Sequence, residues 1–214
     1  MATNWGRQLA NWQKWGLTLL TLTLRFSCLF EKWPQPPGLG AIAMASNLWN
    51  SSGVCGACIS INGPSGEAHQ GIVSDQCPSC KEYSLDLAPD LWSLVSNNKT
   101  PGVLNISWEF VSCNFSTPIQ FINKDGVSNS STSVQVDGSN TPISSLEVLP
   151  TAHDSKEWIK LIRQASSNFF QPEDNAGLGS IGDLRITCGD GKTIVTNEVN
   201  LDQPFGITNA TGNC

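Results

Sequence analysis

Residues 55–80 read CGACISINGPSGEAHQGIVSDQCPSC, and this stretch decides the fold class. Two apolar segments, Cys55 to Ile61 and Ala68 to Val73, flank the turn Gly63-Pro64-Ser65-Gly66, which is the pattern of short β-strands joined by a tight connection. The two Cys-x-x-Cys pairs, eighteen residues apart, also match the spacing of a four-cysteine zinc ribbon. One ribbon leaves Cys28, Cys113, Cys188 and Cys214 unexplained. The even total of eight cysteines fits four disulfides, so the reading is a disulfide framework with no metal and no cofactor.

Composition agrees with an oxidising, secretory route. Charged residues are 14% of the 214, the net charge is −6, and Gly 19 and Pro 12 supply many turns. That weak acidity excludes a phosphate-backbone partner, which needs clustered Lys and Arg, so no nucleic-acid partner is expected. The absence of an apolar run of eighteen residues excludes an ordinary transmembrane helix. Acceptor motifs for N-glycosylation begin at Asn50, Asn98, Asn105, Asn114, Asn129 and Asn209.

Upstream, Arg7 and Lys14 precede a short apolar stretch from Leu17 to Leu24, which resembles a signal-peptide core that Arg25 interrupts early. The alternative is an amphipathic or unstructured leader. Trp5, Trp12, Trp15 and Trp33 give residues 1–37 half of the eight tryptophans, a composition unlike the remainder. After Pro34, Pro36 and Pro37, the small-residue run GLGAIAMASNLW reads as a short helix or turn over 38–49. Downstream, SLDLAPDLWSLV reads as a strand end followed by a helix, with Leu87, Leu91, Trp92 and Val95 at helical spacing. Residues 102–112, GVLNISWEFVS, alternate with a strand's period of two. Beyond Thr117 only strands are expected, around 119–122, 133–136, 143–148, 158–163, 183–187 and 192–196, with Asp125-Gly126, Asp137-Gly138 and Asp190-Gly191 as turns. That spacing predicts a β-sandwich.

Two acids stand among apolar neighbours, Asp75 in IVSDQCP and Asp86 in SLDLAPD. Such a setting disfavours the ionised form and suits a proton donor. Read from its own neighbours, Asp86 is rather an N-cap of the following helix. His69 and His153 are isolated from other ligand types and read as surface or structural residues.

The ordered pieces GLGAIAMASNLW, GVCGACISINGPSG, IVSDQCPSC, SLDLAPDLW and ISWEFVSC together resemble the double-psi β-barrel of expansins and fungal expansin-like (loosenin-type) proteins. The tail, with EWIKL and GLGSIGDLRITCGDGK, is similar to the second expansin domain, an immunoglobulin-like sandwich that serves as a carbohydrate-binding module. The resemblance implies a mainly β chain: a leader (1–37), a six-stranded barrel (38–116) and a sandwich (117–214). It also implies that Asp86 is the aspartate on which wall loosening depends and that Asp75 is its partner at the groove. In related endoglucanases the counterpart of Asp86 is the general acid, and a second carboxylate near the N-terminus is the base. Here Glu31 is the only acid before Glu67, which argues against hydrolysis. The implied function is a secreted, monomeric, non-hydrolytic protein that loosens cell-wall polysaccharide (cellulose, hemicellulose or chitin). The alternatives are a diverged glycan-binding or effector module and a weak glycosidase.

Two departures from the family follow. Residues 1–37 do not match its Gly/Thr/Tyr-rich first strand, so either the leader supplies a substitute strand or the barrel lacks one. The family's sugar-stacking aromatics fall on Ser130, Ser131 and a position near Ser166, while Trp158 and Phe169 match core positions. Phe170 is the one surface replacement available for binding. The resemblance further implies the pairs Cys58–Cys113, Cys77–Cys80 and Cys188–Cys214, with Cys28–Cys55 as the remainder.

Overall fold

The computed structural model describes residues 2–4, 27–30, 32–151 and 157–214. The apolar leader core at 17–24 and His153 lie outside the described residues. The chain folds as two compact units, Met1–Asn50 with Ala57–Val111, and Ser51–Gly56 with Ser112–Cys214.

The first unit is built on a six-stranded sheet: β1 (Ala2–Asn4), β2 (Gly40–Ala45), β3 (Cys58–Asn62), β4 (Ala68–Cys77), β5 (Leu85–Leu87) and β6 (Ser107–Val111). Its order is β1-β5-β2-β4-β3-β6, with β1/β5 and β2/β4 parallel and the other pairs antiparallel. Parallel neighbours cannot be joined by a hairpin, so other strands lie between them in sequence. The small-residue run is therefore a strand, not a helix: Ile42, Ala43, Met44 and Ala45 are all buried, and only a 3-10 turn follows at Ser46–Leu48. A short apolar run buried on both faces has no periodicity to separate strand from helix. The first strand comes from the leader, where Ala2, Thr3 and Asn4 stand opposite Leu85, Asp86 and Leu87.

The helix expected after Asp86 is α1 (Pro89–Ser96), with Pro at its start and Leu91, Trp92 and Val95 buried. It crosses the sheet where Gly40 stands opposite Gly71. A Cβ on Gly40 would lie 2.4 Å from the Leu91 Cβ, and one on Gly71 would lie 2.6 Å from the Leu91 Cδ2. The two glycines let the helix approach the backbone.

The second unit runs through β7 (Gln120–Asn123), β8 (Val134–Asp137), β9 (Ile143–Pro150), β10 (Ile159–Arg163), β11 (Phe169–Gln171), β12 (Ile181–Cys188), β13 (Thr193–Asn200) and β14 (Ile207–Asn209). Leu161 and the residues before it in β10 pair with β9, whereas Ile162 and Arg163 pair with β11. One strand thus serves both layers, β13-β12-β9-β10 and β10-β11-β8-β7-β14. Ile119, Phe121, Val134 and Val136 from one layer meet Leu146, Val148, Leu184 and Ile186 from the other in a single core. The fold is mainly β, a double-psi-type barrel and a β-sandwich, as the sequence predicts.

Candidate functional site

Asp86 lies in the middle of β5 and is not a cap. The residue before α1 is Ala88, which makes no side-chain capping bond. Ala43 of β2 connects the two acids, standing opposite Asp86 on one side and opposite Asp75 of β4 on the other. Directly paired residues share a face of a sheet, so both aspartates flank the small Ala43 on one side of the barrel wall. Two strand spacings separate their backbones, roughly 10 Å. This arrangement depends on an irregularity in the β2/β4 register: Ile42 faces Val73, yet Ala43 faces Asp75, so Ser74 is an extra residue. Without that bulge Asp75 would turn to the other face.

The two carboxylates are held differently. The Asp75 Oδ1 accepts the backbone N–H of Ser27 at 2.7 Å and of Gln76 at 2.8 Å, while Cys28 N–H donates to the Ser74 carbonyl at 3.3 Å. Asp75 therefore fastens the segment at 27–28 to β4. The half-buried Asp86 carboxylate lies within 4.8 Å of the sulfurs of Cys77 and Cys80. Those sulfurs are bonded to each other, and Cys55 and Cys58 are disulfide-bonded as well. No thiolates remain for a zinc ribbon. Cys188 is bridged to Cys214, and Cys28 and Cys113 are also in disulfides. His69 is half-buried, with Nε2 3.2 Å from the Ser65 hydroxyl in the β3–β4 turn, which is a structural contact.

In the sandwich the residues at the expected stacking positions are serines. Ser130 and Ser166 are exposed and Ser131 is half-buried. Phe170 does not replace the missing aromatics. It is 2% exposed within the sandwich core, and the Arg163 guanidinium sits 4.5 Å from its ring centroid. Phe170 belongs to the same buried cluster as Val134, Val136 and Leu161. Phe169 is buried as expected, but Trp158 is half-buried and is not a core residue. Its ring lies 4.3 Å from Arg185, whose guanidinium grips Glu147 through two hydrogen bonds of 2.8 and 2.9 Å. Those bonds hold the Glu147 carboxyl below its ordinary value and push Arg185 above its own.

The barrel and the sandwich together share the fold of solved expansins. No family model matches the chain. The curated Expansin-like protein 7 of Dictyostelium discoideum is 26% identical over 184 residues, which are 82% of this chain and 33% of that protein. The chain thus spans about a third of the length of this relative. The crystal structure of apo Clavibacter michiganensis expansin superposes with TM-score 0.74 at 19% identity over 88% of each chain. A mutant of the same expansin in complex with cellohexaose gives TM-score 0.72 at 18% identity, again over 88% of each. The chain is thus similar in sequence to an expansin-like protein and shares the fold of a solved expansin.

Proposed function

We propose that the chain is a secreted expansin-like protein that binds cell-wall polysaccharide on the barrel face bearing Asp86 and loosens it without hydrolysis. The observation that carries this reading is the pairing of both Asp75 and Asp86 with Ala43, which puts two acids on one face. The Clavibacter expansin solved with cellohexaose supports a β-linked glucan as one ligand class. A glycosidase needs one carboxylate to activate water beside a second that donates a proton. Asp75 accepts two backbone N–H groups on one oxygen, so it acts in positioning, and Asp86 is the acid that exchanges hydrogen bonds with the glycan. Secretion is supported by the disulfide-bonded cysteines and by the exposure of all six glycosylation-motif asparagines.

The test measures creep or tensile weakening of cellulose and wall strips together with released reducing sugar. The expected result is weakening without sugar release, lost at least tenfold in Asp86→Asn. Weakening that survives the substitution removes Asp86 from the mechanism, and a soluble product ladder from pure protein overturns the non-hydrolytic reading. The serines at the sandwich stacking positions favour a second reading, a glycan-binding module without loosening activity. In the same assay it gives binding with unchanged mechanics.

A further inference from the structure

The barrel face that carries the two aspartates also carries a disulfide. Cys77 ends β4 two residues after Asp75 and pairs with Ala45, so it shares the face of Asp75, Ala43 and Asp86. Its partner Cys80 lies three positions on, and both sulfurs stand within 4.8 Å of an Asp86 carboxylate oxygen. Cys80 is half-buried in a turn whose other residues, Pro78, Ser79, Lys81, Glu82 and Tyr83, are exposed. Its sulfur is therefore within reach of an attacking thiolate, whereas Cys28, Cys58 and Cys188 are at most 1% exposed. The bond also adds less to stability than Cys188–Cys214. Its cysteines are 3 positions apart against 26, and the constraint on the unfolded chain weakens as the loop shortens.

We infer that Cys77–Cys80 is a thiol–disulfide exchange site for an external dithiol, and that its redox state sets how strongly Asp86 engages a glycan. The exchange stands on the geometry alone, whereas the coupling to Asp86 rests on the polysaccharide-binding reading above. The attacking thiolate forms a mixed disulfide with the Cys80 sulfur and releases Cys77 as a thiolate. The Ser79 hydroxyl, 3.8 Å from the Cys77 sulfur, can donate to it as it leaves. The second thiol of the dithiol then attacks its own partner sulfur in the mixed disulfide and frees Cys80. Two electrons and two protons pass to Cys77 and Cys80, and the dithiol becomes a disulfide. The Cys80 N–H donates to the Cys77 carbonyl at 3.2 Å, which holds the turn in place for the pair to close again. At Asp86 the exchange changes what the carboxylate meets. Disulfide sulfurs carry no proton to donate, so they do not compete with sugar hydroxyls. Two thiols in the same place are donors within reach of the carboxylate, and they do compete.

The experiment treats the folded full chain with increasing dithiothreitol, alkylates the freed thiols and maps them by peptide mass. Parallel aliquots, before and after reoxidation with oxidised glutathione, are read by near-UV circular dichroism and by co-sedimentation with cellulose, xyloglucan-coated cellulose and chitin. Cys77 and Cys80 should be alkylated together at a dithiol concentration about tenfold below that needed for Cys188 and Cys214. Affinity for at least one polymer should fall about threefold in that reduced state, with the fold retained, and recover on reoxidation. Opening of Cys188–Cys214 first, or protection of Cys77 and Cys80 until the chain unfolds, overturns the exchange site. Selective reduction with unchanged affinity overturns the coupling to Asp86, as does a loss that reoxidation does not restore. A wild type that binds none of the polymers in either state overturns the polysaccharide-binding reading and the coupling with it, and leaves the exchange site standing.

Discussion

Asp137 is the last residue of β8, is 2% exposed, and has no hydrogen-bond partner for either carboxylate oxygen among the described residues. Burial without a compensating charge pushes its carboxyl well above the ordinary range. The sequence shows only Asp137-Gly138, a turn signal, because the pairing of β8 with β7 that buries it is non-local. The sign of the consequence is fixed. The native state keeps a proton that the unfolded chain releases near pH 4, so Asp137's contribution is complete at lower pH and is lost as pH rises toward its raised native value. Stability should fall across that window by at most about 1.4 kcal/mol per pH unit. Asp137→Asn should abolish that part of the slope in urea unfolding between pH 4.5 and 8. An unchanged slope would assign the proton to another group. Asp86 teaches a related lesson. Its neighbours favour a helix cap, whereas its pairing with Ala43 places it in the middle of β5.

The contact between α1 and the sheet carries the prediction at the scale of elements. Gly71→Ala would put a methyl 2.6 Å from Leu91 and 2.7 Å from the Gly40 carbonyl, so the helix must move outward. The expected loss is roughly 1–3 kcal/mol, from overpacking. Gly66→Ala serves as a comparison. Its φ is +80°, and its Cβ meets nothing within 4 Å, so only backbone strain of about 1 kcal/mol is at issue. Equal thermal shifts in the two variants would show that the helix seats on the glycines more loosely than described. A period of two made β6 legible, and bounding turn signals made β3 and most of the sandwich strands legible. Two features were not. The all-buried β2 carries no period, and the bulge at Ser74 depends on its partner strand, although it alone puts Asp75 on the face of Asp86.

For the whole molecule, cysteine parity and spacing made the oxidised framework legible, and the scarcity of charged residues with abundant turn formers made a β-rich class legible. The extent of the units was less so. The sequence places 51–56 within the barrel stretch, yet these residues belong to the unit of Ser112–Cys214. The reason is Arg163, more than a hundred positions downstream. Its guanidinium donates to the Ser52 carbonyl at 3.2 Å, to Asn168 Oδ1 at 3.0 Å and to the Ile143 carbonyl, and it lies over Phe170. The buried Ser52 answers by donating its hydroxyl to the Gln164 carbonyl at 2.9 Å. Burial lowers the Arg163 guanidinium to about 10, so it remains charged at neutral pH and its hydrogen bonds are charge-assisted. Arg163→Met keeps the aliphatic stem and leaves three acceptors without their donor, at a cost of roughly 2–4 kcal/mol. The variant should melt several degrees lower than wild type. Ser52→Ala removes one neutral hydrogen bond and should cost about 1 kcal/mol. If Arg163→Met melts with the wild type while Ser52→Ala does not, the hydroxyl rather than the guanidinium holds the 51–56 segment in the second unit.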